Sequence, residues 1–315
     1  MNPLFTSFQN LRPWPRLLFY ISLAFLGGSI GAAIGILIMQ AQTGLSMADL
    51  THYMGQYNNP EAMRHLAMYN NISQLFFFLL PALVFASLVA GGLRKGLWMY
   101  SPAATFVLFP LIVVGLSPLI SMIEALNHLL IPAGSWLEQM ALPQETELMN
   151  MTEGILRLEQ SGGLFWTIAS VIIFPSICEE LAFRGVIQPA IGRITKNVHL
   201  AVWITALIFS FIHFQFYGFL PRLALGALFG YLVIWTGSIW TSVAAHALHN
   251  ALAFMSFREQ GKITTETSEA QDHTWILYFM IILGIAATSY MAQKSVFWKR
   301  RTAFLGLPDS TPQQE

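Results

Sequence analysis

The sequence predicts an all-α protein, a polytopic membrane helix bundle of about eight transmembrane helices enclosing a polar cavity. Three observations predict it. The 315 residues are 55% hydrophobic and only 10% charged, with mean hydropathy +0.56, where a soluble domain carries about a quarter charged residues. Apolar runs of about 20 residues, the length that crosses a bilayer, recur along the chain. The loops between them alternate in Lys and Arg content, as loops on opposite sides of a membrane do. The net charge of +0 leaves no basic excess for nucleic acid, so none is expected as a partner. Cys178 is the single cysteine, which excludes an internal disulfide.

In chain order the predicted spans are 17–39, 73–92, 102–126, 164–190, 200–217, 220–236, 239–257 and 274–292. Residues 1–301 read as one polytopic domain with a motif-bearing core at 160–257, and 302–315 as a short disordered tail. The first span exceeds the roughly 7–15 residues of a signal-peptide core and lacks a small-residue cleavage site, so it reads as a retained helix. Arg12 and Arg16, Arg94 and Lys95, Arg193 and Lys196, and the tail from Lys294 to Arg301 mark one side of the membrane. Arg64 and Arg157 are the only such residues in the first and third loops. The alternation predicts a multi-pass protein of the cell (cytoplasmic) membrane with both termini in the cytoplasm, and the mixed charges of 258–273 do not reverse it.

Gly27, Gly31 and Gly35 in the first span, and Gly226 and Gly230 in the sixth, let helix backbones approach closely within the bundle. The segments 41–71 and 127–162 are long for connections and read as interfacial helices. Pro81, Pro110, Pro118 and Pro175 punctuate the spans. Pro175 stands four residues before Glu179, where it bends the helix and leaves one carbonyl unpaired.

The run Leu164 to Ile191 is interrupted by Glu179, Glu180 and Arg184. Each ionisable group at the centre of a membrane helix costs roughly 2.5–3.5 kcal/mol on insertion scales, so such groups pair, face a wet cavity or do chemistry. Glu180 and Arg184 are four apart with the acid first, the favourable order for an ion pair. Glu179 lies about 100° round the helix without an in-helix cation. The pair therefore reads as scaffold and Glu179 as the chemical group. His213, His246 and Asn250 supply polar groups from later spans, with His246 and Asn250 on one helix face.

Two mechanisms fit these residue types. In one, Glu179 and His213 deprotonate a water that attacks a peptide carbonyl. His246 and Asn250 then donate to the oxyanion, an effect of roughly 3–4 kcal/mol per donor in other hydrolases. In the other, Glu179, His213 and His246 are ligands of Zn2+ or another divalent metal that activates the water. HExxH is absent, so the familiar zinc-protease spacing is missing, and serine chemistry is the weaker reading, since Ser210 and Ser242 have no evident triad.

Glu179-Glu180-x-x-x-Arg184, then Phe209-x-x-x-His213, then His246-x-x-x-Asn250, in this order on successive spans, resembles the CPBP family of type II CAAX prenyl endopeptidases and bacterial Abi proteins. The resemblance implies a helical bundle around an inner cavity, with Glu179 and His213 activating water. It implies His246 and Asn250 as oxyanion donors and Glu180 and Arg184 as support. It further implies hydrolysis of a membrane-associated or lipidated protein or peptide substrate in the lipid bilayer. The alternative is a transporter, or a non-catalytic scaffold, using the same buried groups as a proton relay or structural network; a transporter would commonly show inverted repeats, which the sequence lacks. At 1.5 Å per residue, Glu179 and His213 fall at different depths unless the fourth helix runs through Pro189 and the fifth begins in the cytoplasm, the arrangement expected here.

Overall fold

Every regular element among the described residues is helical and none is a strand. The computed structural model describes residues 11–89, 92–132, 134–260, 274–295 and 304–305. The expected tail, apart from Phe304 and Leu305, and most of the 258–273 loop lie outside them. The helices are α1 Pro13–Thr43, α2 Met47–Met54, α3 Pro60–Leu88, α4 Ala104–Leu129 and α5 Trp136–Arg157. They continue as α6 Leu164–Thr195, α7 Val198–Phe211, α8 Phe219–Thr236, α9 Ile239–Gln260 and α10 Thr274–Gln293.

Each of the eight predicted spans falls on a helix, but six are long and apolar enough to cross a membrane: α1, α3, α4, α6, α8 and α10. The fifth span stops short because the chain breaks after Phe211, leaving α7 with 14 residues, and Phe214 turns in the left-handed region at φ 52°. The seventh, α9, has 22 residues but carries Thr241, Ser242, His246, His249 and Asn250. The two long connections also hold helices, namely α2 with the first half of α3, and α5. α3 begins at Pro60, well before residue 73, because Asn59 accepts from the Glu61 and Ala62 amides and Pro60 occupies the first turn. The polar residues Glu61, Arg64, His65, Asn70 and Asn71 conceal that start from hydropathy.

Three helix segments widen to i→i+5 bonding: Leu75–Leu79, Ile168–Ile173 and Leu181–Ile187. Each ends two residues before a proline, namely Pro81, Pro175 and Pro189. A proline ring removes one amide donor and crowds the carbonyl four residues back, and opening the preceding turn relieves that crowding. Two of the three lie in α6, on either side of Glu179 and Glu180.

α6 packs on α1, α3, α7 and α9. Glycines set the closest approaches, all inside this chain. A Cβ on Gly31 of α1 would lie 2.5 Å from the Phe76 Cβ of α3, and one on Gly35 would lie 2.7 Å from the Tyr69 ring. On α8, Gly226 faces Ala206 and Phe209, and Gly230 faces Val202 of α7. Gly31→Leu is expected to destabilise the bundle by about 1–3 kcal/mol through overpacking. Thermal unfolding in micelles checks this, and a wild-type melting temperature would mean the α1–α3 contact is loose.

Candidate functional site

Glu179 and Glu180 sit at the middle of α6, between its two widened turns. Glu180 and Arg184 form the expected ion pair, Oε1 to Nη1 3.2 Å, with both side chains fully buried. Nη2 of Arg184 donates to the Gly226 carbonyl of α8 at 3.0 Å. The guanidinium lies 4.5 Å from the Phe209 ring centroid, over its face. One turn later Gln188 donates to the Gly230 carbonyl at 3.2 Å. Two residues four apart on α6 thus meet two glycines four apart on α8. The absent side chains at those glycines are what expose the carbonyls.

α9 closes the network from the other side. Nδ1 of His246 lies 3.0 Å from Glu180 Oε1, and the Ser242 hydroxyl donates to Oε2. A carboxylate only accepts, so His246 carries a proton on Nδ1, and Nε2 is left without a bond to Glu180. The ring stacks on Phe229 with centroids 5.1 Å apart. Glu180 thereby pairs with the Arg184 charge and receives hydrogen bonds from His246 and Ser242, which is what keeps a buried carboxylate tolerable.

Glu179 is the more accessible carboxylate. Its Oε2 lies 4.0 Å from Nε2 of His213. That is too long for a direct hydrogen bond and within reach through one water. His213 stands in the break after α7, and its Nδ1 donates to the Phe209 carbonyl at 2.6 Å. A carbonyl cannot donate, so the tautomer is fixed and Nε2 faces Glu179.

Asn250 has a partner the sequence reading did not foresee. Its Nδ2 donates to the Val171 carbonyl at 2.8 Å. Val171 stands four residues before Pro175, so this is the carbonyl the proline leaves without a helix partner. One amide hydrogen of Asn250 serves α6, and the other remains for a ligand.

The expected metal ligands do not assemble. Among the described residues no three His, Cys, Asp or Glu side chains are grouped to hold a metal ion. Glu179 and His213 form a pair, and no third such side chain is grouped with them among the described residues. Zn2+ needs three or four ligands at about 2.0–2.3 Å from one point, and this arrangement does not fit it.

Three residues here escaped the sequence reading. Ser242 was visible only as a hydroxyl without a partner, and Gln188 as one polar residue near a helix end. Arg222, in the first turn of α8, had a clearer signal as an arginine at the edge of an apolar run. It bonds to Gln215, two residues after His213. A separate pocket of about 250 Å³ is lined by Gln42, Glu61, Arg64, His65, Met68 and Trp166. Trp166 precedes Glu179 by about 20 Å along α6 at 1.5 Å per residue, so this pocket is remote from the carboxylates.

These features define a class: a multi-pass, all-helical membrane protein with a buried Glu–Arg–His network beside a partly accessible Glu–His pair. Residues 161–252 match the family described as type II CAAX prenyl endopeptidase Rce1-like. That region is thus similar to the CAAX-protease-like family that the three motifs resemble. The chain is 32% identical over 151 residues to the uncharacterized protein YyaK of Bacillus subtilis, covering 41% of this chain and 50% of that one. It is 30% identical over 81 residues to the uncharacterized protein YpbD of the same organism, covering 24% and 38%. The matches thus span half or less of these relatives' lengths. No solved structure matches.

Arg184→Met is expected to cost about 3–5 kcal/mol by stranding Glu180 without its cation, and adding Glu180→Gln should recover most of the loss. Thermal unfolding of the two variants checks it; a double variant no better than the single one would mean the pair is not the dominant contact. Asn250→Ala is expected to cost about 1–3 kcal/mol by leaving Val171 unsatisfied. The cost should shrink in a Pro175→Ala background, where the backbone amide is restored, and additive losses in this double-mutant cycle would refute the link.

Proposed function

We propose that the chain is an intramembrane endopeptidase. It hydrolyses peptide bonds of membrane-associated or lipidated proteins through a water activated by Glu179 and His213. The observation that carries this reading is the 4.0 Å approach of Glu179 Oε2 and His213 Nε2, with Nδ1 already held by the Phe209 carbonyl. Both facing atoms are acceptors, so one water can donate a hydrogen to each.

As the water oxygen bonds to the substrate carbonyl carbon, Glu179 accepts its proton and the carbonyl oxygen becomes an oxyanion. The free amide hydrogen of Asn250 donates to that oxygen, and the Arg222 charge favours it. His246 joins as a donor at Nε2 when doubly protonated, with Glu180 balancing its charge. Glu179 then returns the proton to the leaving nitrogen, the C–N bond breaks, and the new carboxylic acid passes its remaining proton to the amine, so that a carboxylate and an ammonium depart. Glu180 and Arg184 hold α6, α8 and α9 in register while this occurs. The positive-inside count supports a cell-membrane protein with both termini cytoplasmic.

The test is cleavage by the purified full chain of internally quenched peptides bearing a farnesylated cysteine followed by three residues, with unmodified peptides alongside. Glu179→Gln and His213→Ala are each expected to lower kcat by about 100-fold or more, the scale of a lost general base. Variants cutting at the wild-type rate would end the proposal. A chelator is expected to leave the rate unchanged, because the donors do not close round an ion. Activity lost to the chelator and regained with Zn2+ would instead reinstate Glu179, His213 and His246 as a ligand set.

A further inference from the structure

His213 belongs to the break between α7 and α8. Residues 212–218 join α7 to α8 with few helical bonds, and Phe214 adopts φ 52°. Besides bonds from Ser210 to the Phe219 carbonyl and from Arg222 to Gln215, the break is held by two helices that precede the matched region 161–252. Asn127, near the end of α4, is buried, although an amide in a membrane helix is costly unless satisfied. All of its polar capacity goes to this segment. Nδ2 donates to the Phe216 carbonyl at 2.7 Å and the Tyr217 carbonyl at 2.9 Å, and Oδ1 accepts from the Leu220 amide at 3.0 Å. From α5, Glu145 Oε1 accepts from the Tyr217 amide at 2.9 Å. The Tyr217 ring stacks on His128 of α4, with centroids 4.7 Å apart.

We infer that Asn127 and Glu145 are positioning residues for His213: they clamp the break between α7 and α8 and so fix Nε2 opposite Glu179. The inference rests on the hydrolase reading above and extends it to α4 and α5, which carry none of the three motifs. An ordinary cap at the start of α8 would need only the Leu220 amide bond. The two carbonyl bonds and the separate carboxylate from α5 hold the other side of the break, nearer to His213. A water-bridged pair tolerates little drift, since a shift of about 1 Å can cost roughly 100-fold in rate.

Two measurements on the full chain in micelles test this. Amide hydrogen exchange reads the clamp without any substrate: Asn127→Ala should speed exchange at Leu220, and Glu145→Ala at Tyr217, each by about tenfold. Cleavage of the farnesylated peptides reads the consequence: both variants should lose about 10–100-fold in kcat with KM within about twofold. Glu145→Gln, which keeps the acceptor oxygen, should recover most of the rate lost in Glu145→Ala. Wild-type exchange at these amides overturns the clamp. Faster exchange with undiminished kcat overturns the positioning role, and so does a Glu145→Gln variant as slow as Glu145→Ala. The hydrolase reading fails by a different result, a Glu179→Gln variant with full activity, which leaves the exchange data standing.

Discussion

The buried pair of Glu180 and Arg184 is the interaction on which the arrangement depends. Two charges withdrawn from water are costly unless hydrogen bonds from neighbours add to their mutual attraction. Here the requirement recruits neighbours from two other helices. Arg184 reaches the Gly226 carbonyl of α8, while Glu180 gathers His246 and Ser242 of α9. Satisfying one ion pair therefore registers α6, α8 and α9 against one another. It also places a proton on Nδ1 of His246.

The second constraint is the backbone of α6. Its two prolines each open the turn before them, and the carboxylates sit between those turns. A straight helix would keep every carbonyl occupied. This one leaves Val171 for Asn250, so a residue of α9 completes the hydrogen bonding of α6. Proline, widened turn and partner amide are parts of one device that ties the centre of α6 to α9.

Glu179 and Glu180 show how adjacent residues acquire different surroundings. Neighbours on a helix point about 100° apart. Glu180 faces Arg184 and α9 and is fully enclosed, whereas Glu179 faces the break carrying His213 and keeps some exposure. The break owes its position to α4 and α5 as much as to α7 and α8. The parts of the chain without motifs are thereby linked to the parts that have them.

Composition and spacing alone determined a good deal. The apolar runs announced a helical membrane protein, because spanning backbone must satisfy its own hydrogen bonds. The four-residue spacing of Glu180 and Arg184 announced their pairing, because that spacing repeats the helix surface. Pro175 announced an orphaned carbonyl. The tertiary structure decided which group answers it, since Asn250 lies 79 positions away from Val171. It also decided that His246 bonds Glu180 through Nδ1, and that α7 ends before His213. Hydropathy did not show where α7 stops and missed the polar start of α3, because it averages over residues and does not see a left-handed turn or a cap. Local sequence fixes what lies within one helix turn; contacts between helices are set by packing, and most of the candidate site is made of such contacts.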